Sequence, residues 1–108
     1  MSQTLAWVAL ILAGLLDVAW AGSVKLSEGY TRFGWSAASV LLLVGFVYLL
    51  GRATQVIPIG TAYGVWAGVG AVGTVVVGAL AFGEAMTLPR LIGLALVIAG
   101  IITVKVAS

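Results

Sequence analysis

Asp17 is the one acidic residue inside a long apolar stretch of this chain, and between Met1 and Val24 no other side chain ionises. Holding an ionisable group at bilayer depth costs about 2.5–3.5 kcal/mol on insertion scales, so such a residue is rarely kept without a use. On a 3.6-residue period Leu10, Ala13, Gly14, Asp17, Trp20 and Ala21 fall on one face. Small residues beside the carboxylate let a second helix or a ligand come close. Trp20, one turn on, is placed to touch whatever Asp17 binds. A carboxyl group that releases and takes up protons in such surroundings is the chemistry of a proton-coupled cation site. The plain alternative is a protonated or hydrogen-bonded aspartate that holds helices together.

A second cluster lies in the segment from Gly60 to Gly78. Tyr63, Trp66 and Gly70 recur at i, i+3 and i+7, so two aromatic rings share a face and offer a hydroxyl and π-surfaces to a cation. Ordinary packing accounts for such a pair equally well; the membrane carboxylate is what inclines it toward a site. Gly60, Gly64 and Gly68 form a small-xxx-small ridge, and Gly68-Val69-Gly70 is a point where a helix could bend, making Gly68 and Gly70 the candidate hinge.

These residues need long apolar helices to hold them, and the composition supplies them. The chain has 108 residues, 63% hydrophobic and 7% charged, against roughly 25% charged in a soluble domain. That is an integral membrane protein with room for about four spans of roughly 20 residues and no separate soluble domain. Spans are expected at about 5–24, 34–51, 58–82 and 89–105, in one four-helix domain covering 1–108. Met1-Ser2-Gln3-Thr4 carries no basic residue and Asp17 interrupts the apolar run, so the first segment is expected to remain as a span and not to be cleaved after Ala19-Trp20-Ala21. Trp7 and Trp35 fall near span ends and read as interfacial anchors. The last span carries Gly93 and Gly100 seven residues apart on one face, a packing or dimerisation stripe, with Thr103 its only polar group expected to point into the bundle.

Absence of cysteine and histidine removes disulfides, thiolate nucleophiles, zinc sites and the usual imidazole base, so no enzyme, metal or cofactor is expected. Five scattered basic residues make no nucleic-acid surface. Lys25, Arg32 and Arg90 flank one side of the membrane and Arg52 and Lys105 the other. So even a balance gives hardly any preferred orientation, and insertion both ways up is the expectation. Four short helices scarcely enclose a transport path, so a dimer is expected.

Taken together, Gly14-x-x-Asp17-Val18-x-Trp20-Ala21, Lys25, Gly29-Tyr30-Thr31-Arg32, Ile57-Pro58-Ile59-Gly60-Thr61-Ala62-Tyr63-x-x-Trp66-x-Gly68-Val69-Gly70 and the glycine pair of the last span resemble the small multidrug resistance family of bacterial inner-membrane exporters, along essentially the whole chain. The resemblance implies an all-α membrane protein with four transmembrane helices per subunit, assembled as an antiparallel, dual-topology dimer that exchanges protons for small organic cations at one carboxylate per subunit. Trp20, Gly60-Thr61-Ala62-Tyr63 and Gly83-Glu84 lean toward the guanidinium-exporter branch; the quaternary-ammonium branch usually has glycine at the position of Trp20. Carried over, Asp17 is the shared proton and cation site, Trp20 orients it, and Tyr63 and Trp66 line the pocket, with Gly14, Phe46, Tyr48 and Gly70 around it. Two positions depart from the pattern. The carboxylate is usually glutamate, one methylene longer than Asp17, and guanidinium exporters usually have serine where this chain has Phe46. Gly45 and Tyr48 are the candidates to reshape or replace the lost hydroxyl contact. These departures keep open a quaternary-ammonium or lipophilic-cation exporter and one half of a heterodimeric pair, and since related four-helix proteins serve such roles, a subunit of a lipid-carrier flippase or non-transporting partner is a further alternative. A purely structural membrane protein would leave the face shared by Asp17 and Trp20 unexplained.

Overall fold

The computed structural model describes residues 2–107 and consists of four α-helices: α1 Gln3–Leu26, α2 Phe33–Ala53, α3 Ile59–Ala81 and α4 Leu88–Ala107. At 1.5 Å per residue, even the 20-residue α4 reaches about 30 Å, the thickness of the hydrocarbon core. All four are long and apolar enough to cross a membrane. Each end falls within two residues of the span read from the sequence, which is the usual ambiguity of helix termini.

Local chemistry fixes the ends. Ser2 caps α1, its Oγ accepting from the Leu5 amide at 3.2 Å. Between α1 and α2 the fully buried Ser27 donates to the Val24 carbonyl at 2.6 Å and accepts from the Tyr30 amide at 3.1 Å. That hydroxyl braces a reversal in which Glu28, Gly29 and Tyr30 all take positive φ, a conformation that costs a side chain about 1–2 kcal/mol per residue. Pro58 opens α3, where its missing amide is no loss. Gly83, with φ +66°, turns the chain out of α3.

The helices pack unequally. α1 lies against both α2 and α3, whereas α4 packs along α3 alone among the helices. Its far end also reaches α1, where the Lys105 ammonium sits 4.6 Å from the centre of the Trp7 ring. Ala6, Leu10, Ala53, Ile57, Ala62 and Val65 form the buried core, at the end where α1 and α3 begin and α2 finishes. The outer faces stay apolar and exposed, Phe33, Leu80 and Val106 most of all, as lipid contact requires. Thr103 does not point into the bundle as expected. It is exposed and its hydroxyl turns back to the Ala99 carbonyl at 2.7 Å, because α4 buries no residue within the subunit.

Candidate functional site

α1 and α3 run parallel and close, and glycines at their seam decide what meets what. A Cβ on Gly14 would fall 2.6 Å from Val69 Cγ1, a Cβ on Gly70 would strike the Asp17 carboxylate, and a Cβ on Gly73 would strike Val18. Each glycine therefore leaves a notch for a side chain of the facing helix, and Asp17 fills the middle one. Gly68 looks the other way: its notch takes Ile101 of α4, whose Cδ1 would lie 2.7 Å from an added Cβ. The two candidate hinge glycines thus seat different neighbours, α4 at Gly68 and Asp17 at Gly70.

Asp17 is half-buried in the subunit. Among the described residues no hydrogen bond or ion pair reaches its carboxylate. Lys25, two turns along α1, is engaged by Glu84 instead, at 3.2 Å. A carboxylate at this depth without an internal counter-charge needs a proton or a cation from outside.

Four aromatic rings form a row that begins at Trp20, one turn along α1 from Asp17, with one ring from α2 and two from α3. Trp20 meets Phe46 edge-on at 5.7 Å and 64°, Phe46 stacks on Trp66 at 5.6 Å and 27°, and Trp66 tilts against Tyr63 at 5.4 Å and 59°. Pairs of this kind contribute about 0.5–1.5 kcal/mol each beyond their area. Phe46 is the 4%-exposed centre of the row, while Tyr63 is 60% exposed and forms its open end. The Trp66 indole N–H is buried with no hydrogen-bond acceptor among the described residues. An unshared carboxylate and a row of π-faces are the elements of a site for an organic cation.

The sequence-predicted residues divide accordingly. Asp17 and Gly70 touch across the seam, Gly14 lies one turn below, and Trp20, Phe46, Trp66 and Tyr63 make one aromatic row. Tyr48 is not brought to them: it is exposed, and its hydroxyl accepts from Arg52 at 3.0 Å, so it replaces no contact at the carboxylate. Gly45 meets only Leu16, at the ordinary distance of 3.6 Å from an added Cβ. Gly93 and Gly100 face open space in the subunit. Periodicity on α1 alone missed the seat of Val18 on Gly73. It also missed the bridging position of Phe46, which depends on how α2 is rotated against its neighbours.

Comparison with known proteins places the chain in a family. The family described as Small Multidrug Resistance protein matches residues 5–97. A protein of Yersinia pseudotuberculosis serotype I (strain IP32953) named Guanidinium exporter is 44% identical over 104 residues, 96% of this chain and 100% of that one. Proteins of the same name from Citrobacter freundii and Proteus vulgaris are each 39% identical over 104 residues, 96% of this chain and 99% and 100% of theirs. A lone carboxylate notched into a glycine of a parallel helix, in four short spans that match this family almost end to end, leaves one placement: the chain belongs to the small multidrug resistance family.

Proposed function

We propose that this multi-pass protein of the bacterial inner membrane is a proton-coupled antiporter that exports small organic cations, guanidinium-type compounds first. Its family and the names of its relatives point to a transporter and not to an enzyme. The observation that carries the reading is the Asp17 carboxylate, set against Gly70 without a counter-charge and one turn from Trp20, where the row to Tyr63 begins. Protons and cation compete for that carboxylate, so loading one expels the other. A proton entering down a potential of 100 mV releases about 2.3 kcal/mol, enough to concentrate a neutral exchange partner almost fiftyfold.

One subunit does not enclose this site. It measures 41 × 34 × 17 Å, and a helix with its side chains is already about 10–12 Å across. An antiparallel homodimer supplies the missing wall, and the three-to-two charge balance favours insertion both ways up. Two Asp17 carboxylates facing one cavity titrate as a pair, with apparent values belonging to both. Bending at Gly68 and Gly70 moves α3 against α4 and α1 in turn, opening the cavity to alternate sides.

Phe46 favours a second reading. Its ring stands at the centre of the aromatic row where guanidinium exporters usually carry a hydroxyl partner for the carboxylate, and a less polar site suits larger quaternary-ammonium or lipophilic cations. Uptake into proteoliposomes driven by a pH gradient separates the two. Wild type is expected to move guanidinium faster than tetraethylammonium, and Asp17→Asn to move neither. If tetraethylammonium alone is exchanged, and Phe46→Ser restores guanidinium, the second reading holds. Exchange that survives Asp17→Asn would sink both.

A further inference from the structure

Beyond Asp17, toward the loop that joins α1 to α2, the α1–α3 seam opens into a small cavity with a charged pair at its end. Past Val18 a cavity of about 60 Å³ lies between Ala21 and Gly22 of α1 and Thr74 and Val77 of α3. Lys25 and Glu84 line its outer end, with Nζ and Oε2 3.2 Å apart. Lys25 also lies over the Phe82 ring, 5.0 Å from its centre. Glu84 folds back over the end of α3 while its side chain stays partly open to water. Its amide donates to the Gly78 carbonyl at 3.0 Å, and its carboxylate occupies a notch that a Cβ on Gly78 would fill. The left-handed turn at Gly83 makes that reversal possible. From the other side Arg90 steadies it, with Nη2 3.9 Å from Oε1 and Nη1 donating to the Ala85 carbonyl at 2.6 Å.

We propose that Lys25 and Glu84 form a gate on the loop side of the seam, closing the route between that membrane surface and Asp17. Neither residue has a role in the site itself, and the purpose of the gate rests on the antiport reading above. Three features suit them to it. The pair sits at the surface end of a small cavity whose floor, Val18 seated on Gly73, adjoins Asp17 seated on Gly70. Both side chains are partly exposed, at 55% and 40%, so the bond is weak enough to break in every cycle and sensitive to salt. Glu84 is fixed by backbone and Arg90, whereas Lys25 hangs on a flexible four-carbon stem. Opening therefore means that Lys25 swings away while Glu84 stays. In an antiparallel pair one such gate would guard each face of the membrane.

Access to the cavity can be read directly, since the chain has no cysteine and a Cβ at Gly22 meets nothing within 4 Å. Gly22→Cys is reacted in detergent micelles with a small cationic thiosulfonate, in the otherwise wild-type chain and with Glu84→Gln, Lys25→Met or Lys25→Arg. Labelling is expected to quicken by about 1.5- to 5-fold in Glu84→Gln and Lys25→Met, the range an exposed ion pair can supply, and to stay unchanged in Lys25→Arg. Raising the salt should quicken labelling with the pair intact and not in Glu84→Gln. Thr74→Cys reads the opposite wall and serves if Gly22→Cys does not fold. Equal rates in every background overturn the gate. Because labelling needs no substrate, equal rates alongside Asp17-dependent guanidinium uptake would sink the gate alone. Gated labelling without any such uptake would instead sink the antiport reading and leave a pair that closes a cavity serving no transport.

Discussion

Asp17 and Gly70 explain each other. A membrane carboxylate with no internal counter-charge is tolerable only where a proton or cation can reach it, and the missing side chain at Gly70 is what makes room for it against α3. Gly70→Ala places a methyl where the carboxylate now lies, and overpacking of this kind costs about 1–3 kcal/mol. Because the displaced group is the proposed transport carboxylate, the expected result is at least a tenfold fall in guanidinium uptake together with a lower unfolding temperature in detergent. Gly51→Ala, in an exposed position of α2 with open space around it, should leave both near wild type and helps the helix slightly. Phe46 shows where reading one residue at a time falls short. In the sequence it registers as a hydroxyl that is not there. In the structure it is the ring that joins Trp20 to Trp66, a positive contribution that no pattern on α2 by itself displays.

At the scale of the helices, the legible part of the fold is the part set by a single helix. Four spans follow from apolar runs broken by charges and turn residues. The inward face of α1 follows from its period, and Leu10, Ala13 and Gly14 are buried as that period places them. What the period does not carry is the register between helices. The ridge of Gly60, Gly64 and Gly68 is the conspicuous pattern on α3, yet an added Cβ at Gly60 or Gly64 meets nothing within the subunit. The seam with α1 uses Gly70 and Gly73 instead, since parallel packing sets Asp17 and Val18 opposite those positions. Tyr48 fails for the same reason. It lies two residues past Phe46, about 200° around α2, and so turns to Arg52 and not to the carboxylate. The Lys25–Glu84 pair joins residues 59 apart in sequence, a contact that local spacing cannot disclose.

For the molecule as a whole, the unfinished surfaces are as informative as the packed ones. α4 buries no residue in the subunit and leaves Gly93 and Gly100 open, which supports its proposed role in dimer packing. The proposed dual topology gives a sharp expectation. Phe33→Lys with Thr87→Lys should force one orientation, and Gln3→Lys, Thr54→Lys and Gln55→Lys with Arg32→Gln the opposite one, each setting five positive charges against two. Each biased chain alone should lose uptake, and the two co-expressed should recover it. Activity in either biased chain alone would count against the antiparallel dimer. Everything else depends on one carboxylate holding either a proton or a cation. The direct measurement is proton release when guanidinium is added to the purified protein in lightly buffered detergent. Wild type is expected to release protons on binding, and Asp17→Asn to release none. Binding of guanidinium by wild type with no proton released, or equal release from Asp17→Asn, would contradict the account.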